Sequence, residues 1–367
     1  MISHLCRPWL RFLLFVITMT ALSFSAMAAP SPAAANRIVA IGDLHGDHDA
    51  WRAIARAARL IDARGRWAGG KTVLVQTGDI VDRAPDSLKI IRDLQRLERE
   101  AKHAGGRVVI LVGNHEAMMV TGDLRYVHPG EFAAFADRDS VGRRDANYAA
   151  NCAAIEAAYR TRDATLSPAA IRDRWLGVTP LGKIEHRLAW SPAGELGRWI
   201  LARPAVAVIG GSLFVHGGLS PTYAALPIDE INRRVATALA ARDVDPLSII
   251  NDESGPLWYR GLAAKEVNPV APLQPTPSPG SGAPVPAASP PTIDEQLDQL
   301  LAATGARRIV IGHTPLLSGV AVTHGGRLVR IDSGISRAYG GVPGYIEISG
   351  DSVTAHNVAR PAAGGGQ

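Results

Sequence analysis

Short apolar runs alternate with amphipathic segments in the first third of the chain. Three β-rich runs, at residues 37–41, 71–76 and 107–112, have the length of buried strands. The positions that share one helical face are Trp51, Ile54, Ala58 and Ile61 in the first intervening segment and Leu88, Ile91, Leu94 and Leu97 in the second. The pattern predicts a β-α-β-α-β unit with crossovers long enough for parallel strands.

Two further strand regions follow. Runs at 206–209 and 213–215 flank Gly210-Gly211, which predicts a hairpin turn. A run at 308–311 predicts one more buried strand. Together the elements indicate an α/β fold, with one domain over residues 36–350.

Two segments interrupt this rhythm. Residues 117–203 are rich in Ala and Arg, with helical patches around 148–159 and 168–175, which predicts an inserted helical cap. Residues 269–291 are dominated by Pro, Ser, Ala and Gly, a composition that cannot build a core. We expect this second segment to be a flexible loop inside the domain.

The N-terminal segment has the pattern of a secretory signal peptide. Arg7 and Arg11 precede an apolar stretch at 12–24, and residues 26–28 fit an A-x-A cleavage site. We expect residues 1–28 to be cleaved and the protein to be periplasmic or secreted, without stable membrane insertion after cleavage. An uncleaved anchor is the alternative, although the stretch is shorter than the roughly 20 apolar residues of a membrane span.

Composition narrows the function classes. The chain is 47% apolar with a net charge of +5, and no basic run is interleaved with aromatic residues, so we do not expect nucleic acid as a partner. Cys152 is the one cysteine beyond the predicted signal peptide, and it lacks a neighbouring histidine. A cysteine nucleophile is therefore not expected. The composition does not indicate an oligomeric state.

Five short motifs carry the candidate chemistry, and each puts a hard metal ligand beside a glycine after an apolar run. The motifs are Gly42-Asp43-Leu44-His45-Gly46, Gly78-Asp79-Ile80-Val81-Asp82-Arg83, Gly113-Asn114-His115-Glu116, Val215-His216-Gly217-Gly218 and Gly312-His313-Thr314. Open α/β sheets build their sites at the carboxyl ends of strands, where these motifs fall.

The inventory of ligands suits a two-metal phosphoesterase. Such a centre holds two cations about 3.5–4 Å apart, and a metal-bound hydroxide attacks phosphorus. Asp43 and His45 can bind one ion, and Asp79 can bridge both ions. Asn114, His216 and His313 can bind the second ion. These six residues are the candidate metal ligands. Nitrogen and oxygen ligands without thiolate suit Mn, Fe, Zn or Co, and Mn is our expectation. Each residue alone has a plainer reading, such as Asp43 as a helix cap or His216 as a core histidine.

Four other residues are candidates for acid catalysis and phosphate binding. His115 could protonate the leaving group, and Asp82 could hold its other nitrogen. Arg83 and Arg260 could clamp phosphate oxygens. The alternatives are that Asp82 caps a helix and that the arginines form surface ion pairs.

The motif set resembles the calcineurin-like metallophosphoesterases, specifically the phosphoprotein phosphatases and their Shewanella-like branch. Residues 255–260 and 331–337 carry the finer resemblance. It implies a four-layer fold of two mixed sheets between helices. It implies the same six metal ligands, with His115 as the general acid. It also implies substrate contacts by Arg83, Arg260, Asn114 and Tyr339. Asp47 stands where the eukaryotic family often has Gln, and Ala84 where it usually has Gly.

These patterns favour a metal-dependent phosphatase that hydrolyses phosphomonoesters, with phosphoproteins as the expected substrates at Ser, Thr or Tyr. A second hypothesis keeps the metals but takes a nucleotide or dinucleoside polyphosphate. A third is a non-catalytic protein that binds phosphate or metal, although none of the six expected ligands is missing.

Overall fold

Ten strands form the framework of the protein in its computed structural model, which describes residues 37–263 and 291–360. The strands are β1 (Ile38–Ile41), β2 (Val73–Gln76), β3 (Arg107–Ile110), β4 (Val206–Ile209), β5 (Ser212–Val215), β6 (Arg308–Ile311), β7 (Ala321–Thr323), β8 (Leu328–Arg330), β9 (Gly344–Ser349) and β10 (Ser352–Asn357). The predicted signal peptide (1–28) and all of the predicted Pro-rich loop except Pro291 lie outside the described residues.

The strands form two mixed five-stranded sheets. The orders are β10-β9-β1-β2-β3 in the first sheet and β4-β5-β6-β8-β7 in the second. β1, β2 and β3 run parallel, as do β5, β6 and β8. β4 and β5 pair antiparallel with Val206 opposite Val215, which confirms the predicted hairpin.

Alternating side chains divide the core into layers. Ile38 and Ala40 of β1 join a cluster that contains Phe214 of β5, so this cluster lies between the two sheets. Val39 and Ile41 point to the other face and pack with helical residues. Because both faces are covered, the central strands are continuous apolar runs, as the sequence indicated. The fold is therefore the α/β arrangement of two mixed sheets with flanking helices.

Eleven helices are present in the described parts of the chain. They are α1 (His48–Ala57), α2 (Ser87–His103), α3 (Asn114–Thr121), α4 (Pro129–Ala133), α5 (Ser140–Arg160), α6 (Pro168–Val178), α7 (Lys183–Trp190), α8 (Glu195–Leu201), α9 (Pro221–Ala224), α10 (Ile228–Ala241) and α11 (Ile293–Thr304). The predicted helical patches at 148–159 and 168–175 fall within α5 and α6. Within 37–263 and 291–360, no helix has the length and apolar character needed to span a bilayer.

The first predicted helical face extends too far. α1 ends at Ala57, and Arg59 has a left-handed backbone with φ of 54°, which a continuing helix cannot contain. Ile61 lies beyond this turn, in an antiparallel bridge with Trp67. Ile61 is still buried, so its apolar character reflects the core and not the helix.

Candidate metal centre

The five motifs meet where the parallel strands of both sheets end. β1 and β2 lead into the loops of Asp43 and Asp79, and β5 and β6 lead into those of His216 and His313. β3 is followed by Asn114, the first residue of α3. Gly312 N donates to the His216 carbonyl at 2.8 Å, which joins the two second-sheet motifs. The His216 ring contacts the Thr77 carbonyl at 2.9 Å, which joins the two sheets.

Two groups of buried side chains share Asp79. The potential ligand atoms of His45, Asp79 and His115 lie within 4.8 Å of one another, and so do those of Asp79, His216 and His313. Asp79 Oδ2 is 3.7 Å from His45 Nε2 and 3.3 Å from His216 Nε2. Asp79 therefore stands between the two groups, in the position that a bridging carboxylate requires.

Backbone carbonyls set the orientation of two histidine rings. His45 Nδ1 donates to the Val81 carbonyl at 2.9 Å, and His216 Nδ1 donates to the Thr77 carbonyl at the same distance. In the neutral form of each ring, the other nitrogen, Nε2, is free of a proton and is directed toward Asp79. Outer hydrogen bonds of this kind fix the tautomer of histidines that bind metals.

The surroundings of two buried histidine nitrogens fit a bound cation. His313 Nε2 has no hydrogen-bond partner among the described residues. His216 Nε2 lies 2.8 Å from Asn114 Oδ1, and both atoms are acceptors when Nδ1 carries the proton. A cation that both atoms ligate would relieve their repulsion, so the chemistry of these donors fits divalent metal binding.

Burial keeps two of the histidines neutral. Burial lowers the pKa of His45 to about 3 and lowers the pKa of His313 to about 2, where His216 and Arg260 also contribute. Neutral imidazole is the form that binds metal ions. Both rings are therefore ready to act as ligands near neutral pH.

Four buried carboxyl groups crowd the same volume. Burial raises the pKa of Asp332 to about 6 and, with the charge of Asp79, raises the pKa of Glu116 to about 7. The pKa of Asp43 is also raised, by burial and by Asp332 and Asp79. Burial would raise the pKa of Asp79 too, but the neighbouring histidines hold it well below its usual value. Such a concentration of acid groups is stabilised when cations neutralise it.

His115 forms the shortest polar contact of the site. Its Nδ1 lies 2.5 Å from Asp82 Oδ2, and its Nε2 lies 3.8 Å from Asp79 Oδ2. Burial lowers the pKa of His115, but Asp79 and Asp82 raise it more, so the net shift is upward. The N-cap position of α2 is occupied by Asp86, so the alternative in which Asp82 caps that helix is wrong.

Aromatic rings surround the first arginine candidate. The guanidinium carbon of Arg83 lies 4.0 Å from the ring centroid of Tyr126 and 5.6 Å from that of Tyr339. The Tyr339 ring lies 5.2 Å from that of His45, and the Tyr126 ring lies 5.2 Å from that of His115. Arg83 and Tyr339 thus lie at the edge of the centre, where the sequence predicted substrate contacts.

The second arginine candidate lies on the opposite side of the centre from Arg83. Arg260 is exposed, and its guanidinium contacts the His313 carbonyl and Thr314 Oγ1, each at 3.3 Å. The neighbouring Trp258 packs its ring edge to face against His313, with centroids 5.6 Å apart. Arg260 is therefore adjacent to the second ligand group.

Backbone conformations outside the usual range concentrate here. Among the described residues, eight that are not glycine have positive φ, and five of these are candidate site residues. The five are His45, Asp79, Asp82, Arg83 and His313. Such conformations cost free energy and persist where the surroundings enforce them, typically at functional sites.

Close packing explains one of the motif glycines. A Cβ at Gly113 would lie 2.3 Å from Asp79 Oδ1 and 2.5 Å from Asp79 N. The space that a side chain would need is thus occupied by the central carboxylate. Position 113 therefore requires glycine because the Asp79 carboxylate and backbone lie so close to it.

Two functional neighbours were not predicted from the sequence. Glu116 accepts hydrogen bonds from the backbone N–H of Asp79 at 2.9 Å and of Ile80 at 2.8 Å, and so holds the Asp79 loop. Asp332 lies against Asp43 and follows β8, the third parallel strand of the second sheet. Both belong to quoted motifs. The available signal was an acid just after a strand for Asp332 and an acid in the first turn of a helix for Glu116.

Comparisons with known proteins agree with this geometry. Residues 36–317 match the calcineurin-like phosphoesterase family, so the chain belongs to that family and is a metal-dependent phosphatase that hydrolyses phosphate monoesters. Shewanella-like protein phosphatase 2 of Arabidopsis thaliana is 31% identical over 86% of this chain and 76% of its own length. That similarity assigns the chain to the Shewanella-like branch.

Two other similar proteins are a curated relative and a solved structure. An uncharacterised protein of Schizosaccharomyces pombe is 29% identical over 85% of this chain and 77% of its own length. The crystal structure of a cold-active protein-tyrosine phosphatase from a psychrophilic Shewanella species superposes with a TM-score of 0.60. It is 23% identical and covers 89% of this chain and 81% of its own, so it supports the fold.

Proposed function

We propose that this phosphatase acts on phosphorylated proteins, with phosphotyrosine the leading substrate and phosphoserine and phosphothreonine next. The observation that carries the proposal is a pair of clefts beside the centre. Arg83 lines one, of about 340 Å³, and Tyr126 and Trp258 line the other, of about 480 Å³. An extended peptide could cross the site and use both clefts. The names of the Arabidopsis and Shewanella relatives point the same way.

The proposed metal ligands take His45, Asp79, His216 and His313 from the two groups around Asp79 and add Asp43 and Asn114 from the same motifs. His115, the remaining member of the first group, is assigned to proton transfer. Asp43, His45 and Asp79 would hold the first ion, and Asp79, Asn114, His216 and His313 would hold the second; these six are the proposed ligands. Mn²⁺ is the proposed metal, and Fe and Zn are the alternatives, because nitrogen and oxygen donors without thiolate suit all three. When bound, the two ions supply Lewis-acid polarisation of the phosphate and a water acidic enough to attack near neutral pH.

The remaining side chains divide binding from proton transfer. Arg83 and Arg260, on opposite sides of the centre, would bind the phosphate oxygens by charge-assisted hydrogen bonds. His115 would donate the Nε2 proton to the leaving oxygen, since Asp82 holds the opposite nitrogen at 2.5 Å. Tyr339 would contact the substrate beside Arg83, and Asn114 would contribute to both metal and phosphate binding.

The site of action is a separate proposal. The segment 1–28, with its basic start, apolar middle and A-x-A end, supports export to the periplasm or beyond. Mass determination of the N-terminus in the exported protein tests this, and cleavage after Ala28 is the expected result.

A turnover panel tests the substrate class. The purified protein is compared on phosphotyrosine, phosphoserine and phosphothreonine peptides and on nucleotides, with Mn²⁺ or chelator, beside Asp79→Asn. We expect chelator-sensitive turnover that is fastest on phosphotyrosine peptides and absent in the variant. A preference for nucleotides would contradict the proposal of a protein substrate and would leave the proposed metal chemistry intact.

A further inference from the structure

The loop between Gly334 and Gly341 carries Tyr339 to the edge of the metal centre. The Tyr339 ring lies 5.2 Å from that of His45 and 5.6 Å from the Arg83 guanidinium carbon. The loop has no helix or strand of its own, so its position depends on contacts with the rest of the molecule. Those contacts decide where Tyr339 meets a substrate.

Asp47 holds the middle of this loop. Its side chain is only 2% exposed, and its Oδ2 accepts a hydrogen bond from Arg337 N at 2.9 Å. Its Oδ1 accepts from Ala50 N at 3.0 Å, as the N-cap of α1, and lies 3.3 Å from the Arg337 guanidinium. One buried carboxylate therefore joins the start of α1 to the Tyr339 loop.

Arg360 holds both ends of the loop and the same carboxylate. Its Nη2 donates to the Gly341 carbonyl at 2.6 Å and lies 3.4 Å from the Gly334 carbonyl. Its Nη1 lies 3.5 Å from Asp47 Oδ2. Arg360 follows β10, so a residue from the C-terminal segment fixes a loop of the active site.

The planar fork of arginine suits this role. Its donors point in fixed directions, so one guanidinium can serve two carbonyls and one carboxylate at once. Lysine has a single charged nitrogen on a flexible chain and can serve fewer of these partners. A methionine would fill similar volume and serve none.

We propose that Asp47 and Arg360 are positioning residues of the phosphatase reaction, which act by holding the Tyr339 loop over the centre. This rests on the proposed function, since it requires Tyr339 to contact the substrate. It also gives a reason for Asp47, which stands where the eukaryotic family often has Gln. Asn or Gln at this position could cap α1 but could not balance two guanidinium charges.

A double-mutant cycle between Arg360→Met and Tyr339→Ala tests the proposal. Steady-state turnover of a phosphotyrosine peptide with Mn²⁺ gives kcat and KM separately. We expect Arg360→Met to raise KM about fivefold with a smaller change in kcat, and to have less than about a twofold effect when Tyr339 is already Ala. Arg360→Lys should fall between wild type and Arg360→Met.

Arg37→Met is the matched control. Arg37 also makes an ion pair and a carbonyl contact, to Glu347 at 2.6 Å and Ala58 O at 2.9 Å, but it lies at the opposite end of β1 from Asp43. We expect it to lower the melting temperature and leave KM unchanged. If Arg360→Met fails to fold, Arg360→Lys is carried through the same cycle.

Two results would overturn the proposal. One is an effect of Arg360→Met on KM no larger than that of Arg37→Met. The other is an equal KM effect with and without Tyr339. Both require an active wild type, so they overturn this inference alone, whereas a wild type without chelator-sensitive turnover overturns the proposed function as well.

Discussion

At the scale of single residues, hydrogen bonds to neighbouring groups determine which atoms of each site side chain remain available. His45 and His216 have one ring nitrogen committed to a backbone carbonyl, so the other is left for a metal. Asp82 is committed to His115. The sequence predicted these residue types and their roles. It could not predict the carbonyl partners, because Val81 and Thr77 contribute only main-chain atoms.

The His115–Asp82 pair predicts a specific pH dependence. A general acid must be protonated, so activity is present below its pKa and is lost as pH rises through it. Asp82 contributes to the raised pKa of His115, so Asp82→Asn should move the alkaline limb of kcat to lower pH. We expect kcat at pH 8 to fall about 10- to 100-fold.

The control for this pair is Asp86→Asn. Asp86 is close in sequence, but its carboxylate pairs with Lys89 at 2.8 Å. Its pH profile should match that of the wild type. A profile of Asp82→Asn with an unmoved alkaline limb would contradict the role of Asp82.

At the scale of elements, the predictions succeeded where apolar periodicity was strong. The buried strands of the β-α-β-α-β unit and the hairpin lie where their runs predicted. The sequence analysis missed β8 and β9, although most of their residues are buried. It also did not indicate β7, which has three residues and no buried side chain, or β10, whose residues are largely exposed. These strands are held by pairing with β8 and β9, which is a tertiary effect.

The contact between α1 and α2 predicts a pH-dependent stability. Asp93 of α2 accepts from His48 Nε2 at 3.0 Å and from Trp51 Nε1 at 3.3 Å, and pairs with Arg96. Burial would raise the pKa of Asp93, but His48 and Arg96 lower it to about 2. The stabilisation is therefore present above the unfolded pKa of about 3.9 and is lost as pH falls toward the folded value.

Asp93→Asn should lower the free energy of unfolding by about 1–2 kcal/mol at pH 7. Urea denaturation at several pH values measures this, and the difference from wild type should narrow below about pH 4. Asp298→Asn, at an exposed pair with Arg327, should change stability by less than about 0.5 kcal/mol. A difference for Asp93→Asn that stays constant into acid would contradict this account of the contact.

At the scale of the whole molecule, the centre is where two sheets meet. β1 and β2 supply Asp43 and Asp79 from one sheet, and β5 and β6 supply His216 and His313 from the other. The motifs predicted that these residues converge, because all follow strands. The crowding of Asp332, from the second sheet, against Asp43, from the first, could not be predicted, because it depends on how the two sheets pack.

That crowding predicts that metal removal destabilises the protein. Buried carboxyl groups whose pKa values are raised by burial and by one another gain most from a neutralising cation. A ligand at 100 times its Kd adds about 2.7 kcal/mol, so two ions add about 5 kcal/mol. We expect Mn²⁺ to raise Tm by about 5–10 °C over chelated protein in calorimetry.

Asp79→Asn should lose most of that gain, because both ligand groups include Asp79. The Arg37→Met variant, remote from the centre, should keep it. Equal Tm values for the wild type with chelator and with Mn²⁺ would show that the acid cluster is not a metal site.

The most direct measurement is the stoichiometry of metal reactivation. Protein stripped of metal, verified by elemental analysis, is titrated with Mn²⁺ while phosphotyrosine-peptide turnover and bound metal are followed together. The account predicts no turnover without metal, full recovery at two ions per chain, and no recovery in Asp79→Asn. Full turnover by verified metal-free protein would contradict it.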